Sequence, residues 1–308
     1  MEIRHRIKWL LMHLRWLPDA LYLRWAYRLE TGHKLDTRSP TFNARLHVLK
    51  LRDSGRDKAR YVDKVEARKV VAEALGPQYL VPLLGVYDTL AEVPWRELPE
   101  QCAIKCTHGS HCGVIRAGPW SFDQAAQVYQ QFQRWMRRSW FWYARERPYA
   151  WIRPRIMIEQ RIVEDGRAPT GYKVMCFSGD PRIVQMHTSH TGKPTIDLYD
   201  TEGQALGIGK AGYARSGVKA LDQAMVGRLC HVAGVLARAI GSPPYVRVDL
   251  YYVDGRVLFG EFTFYDSGGL RDFTPPRANE WLGRMIDLSG RKGVRVRGGK
   301  AQEKLQAV

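Results

Sequence analysis

Apolar and polar positions alternate most regularly between Tyr245 and Gly269, YVRVDLYYVDGRVLFGEFTFYDSGG. A period of two predicts two β-strands, and Asp254-Gly255 marks a hairpin connection between them. The loop decides which side chains share a face. A two-residue Asp-Gly loop pairs Val253 with Arg256 and sends Asp249 and Glu261 to opposite faces, whereas a three-residue loop, Val253-Asp254-Gly255, brings them to one face as diagonal neighbours. The three-residue loop is the expectation adopted. Val246, Val248 and Leu250 then lie with Leu258, Phe262 and Phe264, and Arg247, Asp249, Glu261, Thr263 and Tyr265 share the other face.

The same reading predicts further strands. Gly171 to His187 forms a hairpin, YKVMCF and RIVQMH, around a turn Ser178-Gly179-Asp180-Pro181, with Lys173 facing one side of its sheet. Arg155 to Ile162 is a largely apolar strand that closes on Glu159, Gln160 and Ile162, and another strand is expected near Tyr79 to Val86. Ala103 to Ile115 reads as strand, loop and strand. Lys105 ends the first strand, and His108, Gly109 and Ser110 form a loop whose backbone N–H groups are free of bulky side chains.

Helical periodicity marks Ile3 to Glu30, interrupted at Pro18, with Ile7, Leu10, Leu11, Leu14 and Leu17 on one stripe. Arg4, Arg6, Lys8, Trp9, Arg15, Trp16, Arg24 and Trp25 make this region basic and aromatic. Packing on the protein's own core and resting on the inner leaflet of a membrane are both open to it. Further helices are expected at Phe42 to Leu51, from Asp63 as N-cap through Lys64 to Leu75, at Ser121 to Tyr143, and at Leu221 to Ile240. Between the last two, Gly203 to Gly217 carries five glycines with Lys210 and Arg215. It reads as a mobile cationic loop over an anionic ligand or as a surface linker. From Arg291 onward no core pattern remains and disorder is expected.

A chain of 308 residues is long enough for two to three subdomains. Forty-eight Lys and Arg against 31 Asp and Glu give a net charge of +17, which favours nucleotide phosphates, acidic glycans, anionic membrane surfaces or nucleic acid as partners. Nucleic acid ranks below the others because no RNP-like, zinc-finger or helix-turn-helix pattern is present. Five cysteines, an odd number, and the lack of a secretory signal or a membrane-length apolar run point to reduced thiols in the cytoplasm. Cys102, Cys106, His108, His111 and Cys112 crowd together, but without the spacing of a zinc site.

Two neighbouring carboxylates, Asp249 and Glu261, are read either as partners of Arg247 in a surface ion pair or as hard-oxygen ligands for Mg²⁺. Lys64 and Lys105 stand ready for phosphate or simply solvated. His187, His190 and His231 are proton acceptors by type alone, with no spacing argument for any of them.

At the hairpin the chain resembles the ATP-grasp enzymes, whose metal-binding strands read Arg-x-Asp and Glu-x-Asn; Thr263 stands at the Asn position, where a hydroxyl is the weaker ligand. More closely, SPTFNARL, LKLRD, DKVEARKVV, LGPQYLVPLLGVYD, LPEQCAIKCTHGSHCG, RIMIEQ, YKVMCFSGDPRIV, the hairpin itself and LGRMIDL resemble, in order, the TupA-like ATP-grasp family, named for teichuronopeptide synthesis. The resemblance spans about residues 20 to 290. It implies an α/β (α+β) ATP-grasp fold, two subdomains gripping ATP between antiparallel sheets behind a helical N-terminal region. The domains expected on it are 1–60 (helical), 61–154 (phosphate loop), 155–290 (adenine hinge and metal hairpin) and 291–308 (basic tail).

The resemblance further implies ATP and Mg²⁺ as cofactors, with activation of a carboxylate as an acyl phosphate and attack by an amine. Lys64, Lys105, His108, Gly109, Ser110 and Lys173 would meet phosphate, and Glu159, Gln160 and Ile162 the adenine or ribose. Asp249, Glu261 and Thr263 would hold metal, while Arg247 and Lys105 would act at the reacting centre. The resemblance implies an amine or amino acid as second substrate; the basic surplus adds the expectation of an anionic glycan or lipid-linked precursor as acceptor, and the basic, tryptophan-bearing first helix that of peripheral contact at the inner membrane surface. The alternatives are an ATP-dependent kinase, a glycosyltransferase, for which no Asp-x-Asp signature is seen, and a noncatalytic binder.

Overall fold

The computed structural model describes residues 13–188 and 193–289. Most of the first predicted stripe (Ile7, Leu10 and Leu11, with Arg4, Arg6, Lys8 and Trp9), His190 and the tail from Arg291 lie outside them. The elements run α1 (Asp19–Thr31), α2 (Phe42–Arg52), α3 (Ala59–Val62), α4 (Lys64–Leu75), β1 (Leu83–Tyr87), β2 (Gln101–Cys106), β3 (Gly113–Ala117), α5 (Phe122–Met136), α6 (Trp140–Ala144) and β4 (Ile156–Gln160). They continue through β5 (Gly171–Phe177), β6 (Asp180–Thr188), β7 (Thr195–Tyr199), β8 (Gly209–Lys210), α7 (Gln223–Ala239), β9 (Val246–Val253), β10 (Arg256–Thr263), β11 (Phe273–Thr274) and α8 (Arg277–Arg284).

The chain divides into two compact units: Ser54–Val163, and the residues up to Asp53 together with those from Glu164 onward. These boundaries differ from the sequence-derived ones at two places. The N-terminal helices join the hairpin unit, and the strand carrying Glu159 joins the phosphate-loop unit, because β4 is hydrogen-bonded between β1 and β2.

The Ser54–Val163 unit is a four-stranded antiparallel sheet in the order β1-β4-β2-β3. Ile104, Cys102, Cys106, Ile156 and Ile158 build its core with Phe132 of α5. Asp63 caps α4, accepting from the backbone N–H of Val65 (2.8 Å) and Glu66 (3.2 Å). Ser121 opens α5 with a capping box to Gln124. The single helix expected over Ser121 to Tyr143 is interrupted by Arg137–Ser139, and Trp140–Ala144 forms a separate short helix whose Trp140 packs against Tyr143 and Tyr149.

The other unit is built on a five-stranded antiparallel sheet, β10-β9-β5-β6-β7. Strands β5, β6 and β9 are apolar on the face covered by α7, where Val174, Val246 and Val248 meet a helix buried at Val226, Leu229, Ala233 and Leu236. The opposite face is divided. Met175, Phe177, Ile183, Ile196, Leu198 and Tyr245 pack with Phe42 and Leu46 of α2 and Ala278 and Leu282 of α8, while further along the same face the side chains are polar and charged. That division places the candidate site.

The Gly203 to Gly217 segment is neither a linker nor a free cationic flap. Isolated bridges (Thr195 to Ala214, Tyr199 to Ala205, Gln204 to Ala220) and the β8–β11 pair bind it to the sheet. Arg215 is paired with buried Asp197 (2.9 Å), and Lys210 is itself buried. Four of its glycines, Gly203, Gly207, Gly212 and Gly217, take positive φ.

His47 is sealed inside this unit, its Nε2–H donating to the Gly269 carbonyl (3.0 Å) and its ring edge-on to Tyr27. Burial, helped by Lys50, pushes this imidazole down to about 3. Between about pH 6.5 and that value the unfolded chain holds the extra proton, so stability is full above about 6.5 and falls as the pH drops toward 3. Urea titrations across that window should show the decline, and His47→Gln should make it shallower, with buried His187 contributing to what remains; an equal slope in the variant would assign the acid sensitivity elsewhere.

Candidate functional site

The hairpin loop has two residues rather than three. Val253 pairs with Arg256, and Asp254 and Gly255 adopt φ values of 49° and 74°, the mirror-image turn that matches strand twist. Such a loop alone would put Asp249 and Glu261 on opposite faces. A bulge at Gly260 reverses this: Leu250 pairs with Phe259, and the next pair is Asp249 with Glu261, directly opposite. A Cβ on Gly260 would lie 3.1 Å from the Asp249 carbonyl oxygen, a tight approach that glycine relieves at the bulge. The same slip puts Phe259, not Leu258, beside Leu250 in the core. In β5–β6 the turn is likewise two residues, Ser178-Gly179, and Asp180 and Pro181 belong to β6.

Along this face, register aligns Lys173 of β5 with Asp249 of β9, and Arg247 with Thr263 of β10. Arg247 holds Asp249 bidentately (Nε to Oδ1 2.6 Å, Nη2 to Oδ2 2.8 Å), and its Nη2 also donates to Thr263 Oγ1 at 3.2 Å. Lys173 Nζ lies 3.3 Å from Asp249 Oδ2. Two residues beyond Phe264, the fully buried Asp266 accepts Arg247 Nη1 (2.5 Å) and Lys210 Nζ (2.7 Å) on Oδ1 and Gln185 Nε2 (2.9 Å) on Oδ2.

The electrostatics follow from this packing. Burial alone would raise the Asp266 carboxyl, but Lys210 and Arg247 hold it well below the usual carboxylate range. Burial pushes Lys210 down to about 8, with Arg247 adding to the effect and Asp266 opposing it. Desolvation works against the Arg247 guanidinium too, yet Asp249 and Asp266 keep it firmly charged. Burial, reinforced by Lys173, Arg247 and Lys210, keeps His187 neutral, 3.2 Å from Gln185 Oε1. His231 lies exposed on α7, away from this face.

In the other unit, β2 and β3 pair as expected for a strand-loop-strand cradle. Lys64, at the first position of α4, donates to the Gly109 carbonyl (2.7 Å) and so braces the loop. His108 is buried with Nε2 donating to the Trp135 carbonyl (3.2 Å), and Ser110 is half-buried. Lys105 Nζ meets Glu159 Oε2 at 2.7 Å while Arg68 Nη1 meets Oε1 at 2.5 Å, so Glu159 is buried between two cations. The backbone N–H groups of Gln160 and Arg161 are taken by the carbonyls of Pro82 and Gln101, and Ile162 follows where β4 ends.

Sequence reasoning passed over Arg68, Gln185 and above all Asp266. The signal for Asp266 was present but ambiguous: Asp-Ser-Gly-Gly reads as turn chemistry, and Ser267, Gly268 and Gly269 do take positive φ. Among the described residues no group of three or more Cys, His, Asp or Glu is placed to hold a metal, the Cys102–Cys112 region included, and all five thiols are free. Burial pushes the Cys106 thiol up to about 12 and Cys230 up to about 11.

Antiparallel sheets bearing a lysine-braced glycine loop in one unit and opposed carboxylates beside a clamped arginine in the other define an ATP-grasp protein. The chain belongs to the TupA-like ATP-grasp family, whose model matches residues 44–287. No curated protein matches it in sequence. Among solved structures it is similar to D-alanine–D-alanine ligase from Bacillus anthracis (14% identity, 73% of this chain and 65% of that one, TM-score 0.44). It is also similar to L-amino acid ligase from Bacillus licheniformis (12% identity, 75% and 49%, TM-score 0.42). The chain spans less than two thirds of the length of either. No helix among the described residues is long and apolar enough to cross a membrane.

Proposed function

We propose that the protein is an ATP-dependent carboxylate–amine ligase. A substrate carboxylate oxygen attacks the terminal phosphorus of ATP and ADP leaves; an amine then attacks the acyl carbon and phosphate leaves. The observation that carries this reading is the register of the hairpin, which sets Asp249 opposite Glu261 with Arg247 and Lys173 on the same face.

The donor set there is two carboxylates and a hydroxyl, hard oxygens of the kind Mg²⁺ accepts with water and phosphate completing its shell. Lys173, Lys210 and Arg247 balance Asp249, Glu261 and Asp266 in charge, so a divalent cation suits this face only when it arrives with an anion of its own, as it does on a nucleotide polyphosphate. Asp249, Glu261 and Thr263 would hold that ion, which when bound neutralises charge on the transferred phosphoryl group. Arg247, kept charged by its partners and fixed by Asp266, faces the negative charge that develops at the acyl centre. Lys64, Lys105 and the His108-Gly109-Ser110 loop serve the phosphates, and Glu159, Gln160 and Ile162 the adenosine side. The acid is carried by an anionic cell-surface glycan or its lipid-linked precursor, and the amine is that of an amino acid, a reading supported by the net charge of +17.

Product analysis tests the reaction class. Release of ADP and phosphate only when both a carboxylate and an amine are supplied is the expected result; ADP with a phosphorylated acceptor and no need for amine would make it a kinase, and no ADP at all would remove an ATP-driven reaction. Lys105→Ala should weaken ATP binding roughly ten- to a hundredfold in calorimetric titration, the range of a lost charge-assisted hydrogen bond.

A further inference from the structure

Helix α1 has two opposed faces. Tyr22, Leu23, Ala26 and Tyr27 are buried, with Tyr22, Leu23 and Ala26 packed against Leu17, Leu35 and Leu270. On the other side Leu21, Arg24, Trp25 and Arg28 form a continuous exposed stripe at spacings of three, four and seven residues. Trp25 is 59% exposed, Leu21 43%, and Trp16, two residues ahead of Pro18, 76%. A soluble helix ordinarily turns charged and small polar groups outward; here an indole and a leucine sit between arginines on the stripe, with a second exposed indole just ahead of the helix, an apolar surface rather than scattered single groups.

We infer that this stripe is a docking surface for an anionic lipid bilayer. Indole rings and leucine at this spacing sink to the level of the headgroups, while Arg24 and Arg28 lie along the same line to meet lipid phosphates. The two acids of the helix, Asp19 and Glu30, lie at its ends, each about half a turn off the stripe. Charge selects this occupant over two others. The preceding segment carries Arg4, Arg6 and Lys8 and a second copy would present the same arginines, so either would oppose like charge to like. A nucleic acid would match the arginines but leave Leu21 and the indoles in water. The surface is separate from the groups assigned to ATP and depends on no reading of the reaction.

Co-sedimentation of the full chain with phosphatidylcholine vesicles, with and without phosphatidylglycerol, tests it. Binding is expected only with the anionic lipid and should weaken with salt. Arg24→Gln/Arg28→Gln should reduce it roughly thirtyfold, at about a fivefold loss for each arginine near a charged surface, and Trp16→Ala/Trp25→Ala should abolish it. All four positions are exposed, so thermal midpoint and ATP binding should stay at wild-type values in the variants. Equal binding of wild type and variants, or equal binding to both kinds of vesicle, would overturn the inference. So would lipid-free self-association or nucleic-acid retention that the tryptophan substitutions remove.

Discussion

Mg²⁺-dependent ADP release by the double variant Asp249→Asn/Glu261→Gln is expected to fall at least roughly a thousandfold, the scale seen when charge stabilisation at a reacting centre is removed. The fold should survive. Both substitutions keep shape and one acceptor oxygen, and Arg247, on losing the two-oxygen grip of Asp249, still has Asp266 at 2.5 Å. Each variant therefore goes first through urea denaturation and then through ADP assays across a range of Mg²⁺ concentrations. A folded double variant that retains Mg²⁺-dependent turnover would refute the assignment of the two acids. Arg247→Lys refines the point: lysine keeps a charge but cannot span Asp249 and Asp266 with a planar fork, so turnover should fall while nucleotide affinity changes less.

Asp266→Asn is expected to cost about 3–5 kcal/mol of stability, the range found when one member of a buried charge network is removed. Its carboxylate is the shared partner of Arg247 and Lys210, and Lys210 is buried with its amine at 2.7 Å from Asp266 Oδ1. An asparagine leaves that ammonium buried without its counter-charge, whereas Arg247 keeps Asp249. Adding Lys210→Met should therefore recover much of the loss, because an apolar side chain of similar length removes the orphaned charge. If the double substitution is no more stable than Asp266→Asn alone, Lys210 is not the source of the penalty. The measurement is the urea midpoint with the slope checked for constancy.

How far the site was legible in the sequence differs from group to group. Asp63 as a cap with Lys64 behind it, and Lys105 on a strand ahead of a glycine loop, were readable because each depends on contacts a few residues apart. Asp249 and Glu261 were readable as a same-face pair, yet for the wrong reason. Alternation predicts an extra residue in the loop, while the chain places that residue at Gly260, six positions before Asp266 and inside what reads as continuous alternation. A bulge and a longer loop shift the face pattern by the same one residue, and alternation alone does not tell them apart.

By itself the sequence determined the family, the antiparallel hairpins, the helix caps and the set of residue types at the candidate site, since all of these rest on local periodicity, turn chemistry and order along the chain. Only the tertiary structure decided which charges meet. Lys210 reads as a loop cation and Asp266 as a turn residue, 56 positions apart. They become a buried pair because β8 hydrogen-bonds to β11 and lays the glycine-rich segment against the polar part of the sheet. Glu159, an apparently free strand end, is enclosed by Arg68 from a helix 91 positions earlier. The energy of such pairs comes from low-dielectric burial, and burial is a property of the packed layers rather than of any window of sequence.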